Sequence, residues 1–230
     1  MLEVVKRPVR IHDHWVVLPG ELAVPKGARG LVVFAHGSGS SRHSPRNRFV
    51  AERLQQTGAA TLLFDLLTAE EEREDRETAE FRFNIPLLTE RLLQAIAWCR
   101  QQKELAALRL GIFGASTGAA AALAAAAELG EEVDAVVSRG GRPDLATGAL
   151  GRVKAPTLLI VGEWDELVLE LNEQALQQLS CERKLVVIPG ASHLFEEPGA
   201  LEQVAELAAQ WFSSHWKTAV CSEERHDCPG

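Results

Sequence analysis

Residues 108–130 read LRLGIFGASTGAAAALAAAAELG, and this stretch restricts the fold more than any other part of the chain. A short apolar run passes through GASTG directly into alanines. The run is of strand length and ends on glycine, so it reads as a buried strand. The alanines favour helix, and their small side chains let that helix lie close against its neighbours. A strand turning this sharply into a helix belongs to a parallel α/β sheet. The turn crowds Gly114 and Gly118, two residues to either side of Ser116, and side chains there would clash. Ser116 itself is forced into a strained backbone conformation that lifts its hydroxyl clear of the sheet. The amides that open the helix favour developing negative charge beside it.

The same alternation runs along most of the chain. VVKRPVRI and HWVVLPGELAVP open it as two antiparallel strands, with Pro19-Gly20 as a turn signal. LVVFA and ATLLFD are strands on either side of a helix that begins at Pro45 and stops at Gly58. LLTERLLQAIAWCRQQ has helical periodicity. VDAVVS, PTLLIVG and KLVVIP are further strands, with a helix over 166–179 between the last two. A final amphipathic helix covers 198–216. Strands alternating with helices give βαβ units and a mostly parallel sheet with helices on both faces. At 230 residues and 46% apolar, the chain can bury one sizeable core, and we expect one domain over 1–216 followed by a disordered tail over 217–230.

A formal net charge of −8 argues against nucleic acid as a partner. Much of it is local: residues 70–80 hold seven acids and two arginines, and 68–80 reads as a solvated loop or exposed helical turn. Cys99 lies in a helical pattern, and Cys181, Cys221 and Cys228 form no disulfide framework, which fits a reducing cytoplasm. Cys221, His226 and Cys228 match no common zinc spacing, so no metal and no other cofactor is expected. No apolar run is long enough to span a bilayer, and the first residues lack the pattern of a signal peptide.

Partners for Ser116 lie further along. His193 follows the last strand, in VVIPGASHLFEEPG, and Asp165 follows the strand before it, in LLIVGEWDELV. A serine hydroxyl needs a base to become a nucleophile, a neutral imidazole can be that base near pH 7, and a carboxylate fixes the imidazole tautomer. Asp165 also suits a helix N-cap, and Glu163 and Glu166 compete with it for the acid's role. The order serine, acid, histidine is that of the α/β-hydrolase fold. The small-residue loop FAHGSGSSRHSPRNR supplies an oxyanion hole from the amide of Ser38, with the amide of Thr117 as second donor, and His36 buttresses the loop. Arg42, His43, Arg46 and Arg48 from that loop and Arg139 and Arg142 from SRGGRPD could converge on an anionic group of a substrate. The plainer reading pairs Arg139 and Arg142 with Asp144 or another acid.

On these residues the chain resembles the α/β-hydrolases over about 20–215. With His36-Gly37, GEWDELV and GASHLF, it is similar to the dienelactone hydrolase family, and to bacterial hydrolase domains of which some are joined to phosphoribosyltransferases. The resemblance implies an eight-stranded, mostly parallel sheet without a large cap, and hydrolysis through an acyl-enzyme. Dienelactone hydrolases proper use a cysteine nucleophile, whereas Ser116 stands here, which points to a small ester or thioester rather than a dienelactone. An acyltransferase on the same triad, or a non-catalytic binding module, is the alternative. The last helix, with Trp211 and Trp216, reads as core packing and leaves room for a homodimer.

Overall fold

A computed structural model describes residues 2–13, 16–146 and 148–216. The expected tail, with Cys221, His226 and Cys228, lies outside the described residues. The strands are β1 (Val4–Asp13), β2 (Val16–Pro25), β3 (Gly30–Ala35), β4 (Ala59–Phe64), β5 (Arg109–Ala115), β6 (Ala135–Arg139), β7 (Thr157–Gly162) and β8 (Arg183–Ile188). They form one sheet in the order β1-β2-β4-β3-β5-β6-β7-β8. β1 and β2 pair antiparallel, as do β2 and β4, and every other pairing is parallel.

The helices are α1 (Pro45–Gln56), α2 (Ala69–Thr78), α3 (Ile85–Gln101), α4 (Thr117–Leu129), α5 (Glu166–Gln178) and α6 (Ala200–His215). α1 and α6 pack together on one face of the sheet, α3 and α4 on the other, joined there by the buried side of α5. The central strands are buried on both faces, as parallel strands are. In β3, Leu31, Val33 and Ala35 join the core beneath α3 and α4, while Val32 and Phe34 join the core beneath α1 and α6.

From β3 the chain goes to β4 on one side, then crosses back through α2 and α3 to β5 on the other. The loops leaving β3 and β5 therefore diverge from neighbouring strands and leave a crevice at their carboxyl ends. Ligands of open α/β sheets bind in this kind of crevice.

One expectation is corrected and one open alternative is resolved. Pro19-Gly20 is no turn: both residues lie inside β2, which pairs with β1 from Val16 opposite Asp13 to Pro25 opposite Val4. Gly20 is there for space, since a Cβ on it would sit 2.9 Å from Val9 Cγ2 and 3.2 Å from the Leu63 carbonyl oxygen. The acidic stretch, read as a solvated loop or an exposed helical turn, takes the helical alternative and extends it. Most of it is α2, opened by a capping box in which the Thr68 side chain accepts from the Glu71 amide and the Glu71 carboxylate accepts from the Thr68 amide. Acids in the first turn of α2 also complement the positive end of the helix.

Candidate active site

Ser116 sits between β5 and α4 with φ 51° and ψ −123°, one of three described non-glycine residues at positive φ. Such a conformation costs on the order of 1–3 kcal/mol and persists only where the surroundings impose it. Three backbone bonds do so. The Ser116 amide donates to the Arg139 carbonyl oxygen at 3.1 Å, and the Ser116 carbonyl oxygen accepts from the amides of Ala119 and Arg142, both at 3.1 Å. The flanking glycines are required by contact. A Cβ on Gly114 would lie 2.4 Å from Ala119 Cα and 2.8 Å from the Gly118 carbonyl oxygen; one on Gly118 would lie 2.3 Å from the Ala35 carbonyl oxygen. The crowding at Gly118 comes from the end of β3, which brings the loop after β3 against the turn. In that loop a Cβ on Gly37 would stand 2.9 Å from Ser116 Cβ.

His36 fixes the loop from below. The Leu66 amide donates to His36 Nε2 at 3.0 Å, so Nε2 carries the lone pair and Nδ1 carries the proton, donated to the Gly37 carbonyl oxygen at 2.9 Å. Burial lowers the His36 pKa, only partly offset by the bond to Gly37 and the charge of Asp65, and keeps the ring neutral. Ser38 and Thr117, whose amides are the expected oxyanion donors, face each other. The Ser38 amide donates to Thr117 Oγ1 at 3.0 Å, and their hydroxyl oxygens are also 3.0 Å apart. The Thr117 amide is at the first position of α4, where N–H groups have no acceptor within the helix.

Asp165 and His193 come together across 28 residues, with Asp165 Oδ2 and His193 Nδ1 2.5 Å apart. Asp165 occupies the N-cap position of α5, yet its side chain makes no capping bond, because the carboxylate is turned to the imidazole. Glu163 is engaged elsewhere, accepting from the Gly190 amide at 2.7 Å. That bond, and one from the Ser192 amide to Glu197, hold the loop that carries His193. A Cβ on Gly140 would lie 3.4 Å from His193 Nδ1, so residue 140 stands against the imidazole while residue 139 binds the Ser116 amide.

Most of the basic residues considered for anion binding already have partners. Arg42 pairs with Asp65 through both its amide and its guanidinium. Arg142 makes two bonds to Asp144, at 2.9 and 2.7 Å, as the plainer reading has it. His43 lies against Arg48, away from Ser116, along a groove of about 610 Å³ on the β1–β2 hairpin. Arg139 is buried and bonded to none of these. Sequence reasoning missed an exposed apolar rim beside the acid and the histidine, made by Trp164, Leu167 and Leu194. Their signal was the apolar residues flanking Asp165 and His193, in the turn and first helical turn around the acid and the loop around the histidine. Cys99 is no nucleophile: burial pushes its thiol up to about 12. Among the described residues, no group of three His, Cys, Asp or Glu is placed to hold a metal.

Sheet order, helix layers and the serine turn at the crossover define an α/β-hydrolase fold. An α/β serine hydrolase homologue from Coxiella burnetii shares it, with a TM-score of 0.74 at 21% identity over 89% of this chain and 96% of that one. More narrowly, the chain belongs to the dienelactone hydrolase family, whose sequence model matches residues 18–220. A dienelactone hydrolase from Anabaena variabilis is 57% identical, with a TM-score of 0.91 over 93% of this chain and 99% of that one. A Mycobacterium tuberculosis protein named as a candidate phosphoribosyl transferase is 59% identical over 200 residues. The match takes in 87% of this chain but only 44% of that protein, so the chain spans under half the length of this relative.

Proposed function

We propose that this chain is a serine hydrolase that cleaves a small ester or thioester through an acyl-enzyme. The observation that carries the reading is the strained backbone of Ser116 at the topological crossover, because a serine at φ 51° is retained where function needs it. In the mechanism, His193 takes the Ser116 proton as the hydroxyl attacks the carbonyl carbon. Asp165, bonded to Nδ1, holds the tautomer in which Nε2 is the base and stabilises the imidazolium. His193 then protonates the leaving group, and the same base activates water to release the acid. The amides of Thr117 and Ser38 bind the oxyanion; Ser38 must share its N–H with, or release it from, Thr117 Oγ1. The Trp164, Leu167 and Leu194 rim suits an apolar portion of the ester.

The membership of the dienelactone hydrolase family and the fold support hydrolysis; the choice of serine ester rests on Ser116. The phosphoribosyl transferase name belongs to a protein of which the match covers only 44%, and we assign that activity to the part of it outside this match. The test is a panel of p-nitrophenyl esters with wild type and Ser116→Ala, plus labelling by a fluorophosphonate. Ester turnover in the wild type, its loss in the variant and a single adduct on Ser116 support the reading. Unchanged turnover in Ser116→Ala, or an adduct elsewhere, overturns it. Repeating the assay with an alcohol acceptor separates hydrolysis from acyl transfer by the products formed.

A further inference from the structure

The arginines around this rim differ in how far their guanidinium groups are satisfied, and Arg139 is the least satisfied of them. Arg42 is closed by Asp65 and Arg142 by Asp144, while Arg48 gives Nη2 to Glu21 and keeps Nε buried without a partner. Arg139 is 7% exposed, yet its Nε and Nη1 are buried without a hydrogen-bond partner. Arg46, in the first turn of α1, gives Nη1 to Glu196 at 3.2 Å and leaves Nε buried and unpartnered. The two cations sense each other: burial, then repulsion from Arg46, lowers the Arg139 guanidinium to about 10. A buried cation with open N–H groups facing a second cation is costly in an empty fold. It becomes favourable once an anion lies between them.

The position of Arg139 ties that anion to the reaction. Its carbonyl oxygen binds the Ser116 amide, and the next residue touches His193. Alternation along β6 sets its side chain on the face of Ala135 and Val137, beneath α1 and α6, opposite Ser138, whose Oγ faces Gly141. The positive end of α1 and Arg46 are on that face as well. Guanidinium groups bind carboxylate and phosphate oxygens in pairs. In the same turn as Arg46, Asn47 Oδ1 is buried without a donor, which a hydroxyl on the ligand would supply.

We propose that Arg139 and Arg46 form the binding site for an anionic group of the substrate, a carboxylate or a phosphate monoester, on the α1 side of Ser116. This deepens the hydrolase reading and rests on it. Wild type, Arg46→Gln, Arg139→Gln and Arg139→Lys are compared on three aryl esters of matched size: neutral, carboxylated and phosphorylated. The expected result is a wild-type preference in kcat/KM for one anionic ester over the neutral one. Arg46→Gln lowers that ratio at least tenfold through KM, and Arg139→Lys retains more of it than Arg139→Gln. Whichever anionic ester shows the preference identifies the group. Inorganic phosphate, titrated calorimetrically, should bind wild type more tightly than Arg46→Gln. An unchanged ratio in Arg46→Gln, or equal losses on all three esters in both arginine positions, overturns the proposal. Arg46 is partly exposed, so its variant is expected to fold even if Arg139→Gln does not. If no ester is turned over and no fluorophosphonate adduct forms, the hydrolase reading fails. The phosphate titration still decides the anion site: equal binding by both proteins, or none, removes it.

Discussion

Arg91 and Arg139 are both buried arginines, 3% and 7% exposed, each near the carboxyl end of a strand. Arg91 lies in α3 where β4 exits. It grips both Glu71 carboxylate oxygens, at 2.6 and 2.5 Å, and the Leu66 carbonyl oxygen at 2.7 Å, with Asp13 at 3.9 Å. One guanidinium thus ties α2, α3, the exit of β4 and the end of β1. Burial pushes the Glu71 carboxyl up, but Arg91 and the bonds from Thr68 together outweigh it and hold it below its ordinary value. Arg139, at the exit of β6, ties nothing together through its side chain. In the first corner both terminal nitrogens of Arg91 are bonded and only Nε is left without a hydrogen bond, 3.9 Å from Asp13; the second is strained at Ser116 and leaves both Nε and Nη1 of Arg139 unpartnered. On the hydrolase reading, the strain at Ser116 and the open N–H groups of Arg139 fall where a substrate would bind.

The contrast can be broken most visibly at Ser116. Ser116→Gly should lower kcat/KM about a thousandfold or more, because triad members act as a unit. The same change should raise stability by about 1 kcal/mol, since glycine accepts φ 51° without strain. A chemical denaturation curve beside the ester assay checks both, and a loss of stability would erase the distinction between the corners. Asp165→Asn should cost about a hundredfold or more in kcat with little change in melting temperature, since that carboxylate caps nothing. Arg91→Met should do the opposite. It should destabilise by about 3 kcal/mol, because Glu71 is left half-buried without its partner, while kcat per folded molecule stays within about twofold. Strong catalytic loss with normal stability would move Arg91 into the site.

The smallest expected effect concerns pH and His36. Its folded-state pKa is depressed, so its unfolded-state form binds the proton first as pH falls. The stability that neutral His36 contributes is therefore complete above the unfolded value of about 6.5 and is lost progressively as pH falls below it. His36→Gln should flatten the decline in melting temperature between about pH 7 and 5. A wild-type profile already flat over that range would show that His36 does not fix the loop as a neutral ring.

Much of this architecture was legible because its signals are local. The glycines around Ser116 are required by backbone contacts within a few residues, and the alternation of apolar runs with helical patterns carries the sheet. α2 was legible too, in the spacing of Thr68 and Glu71, but the density of acids hid the capping box. Pro19-Gly20 misled because glycine in β2 answers to the close approach of Val9, a neighbour absent from local sequence. Asp165 could be separated from Glu163 only in three dimensions, where Glu163 is engaged by the Gly190 amide. The partners of Arg42 and Arg91, and the lack of one at Arg139, arise from long-range packing, which no pattern of charges along the chain encodes.

The alanine helix behind Ser116 has a further consequence. From Ala119 to Ala122, and again at Ala125 and Ala126, its buried positions carry side chains with no rotamers. No side-chain hop in these positions can jostle the first turn, so thermal noise reaching the Thr117 amide must come from motion of the whole helix against the sheet. Interchangeable rotamers elsewhere let a core absorb a substitution by repacking; at the alanines of this helix there is nothing to repack, and Leu123 is its one large buried side chain. Adding even one methylene on this face would shift the helix as a body, and with it the amide beside the nucleophile. The helix is in effect a spacer of fixed length, whose tolerance is set by the smallest side chain that can still be buried.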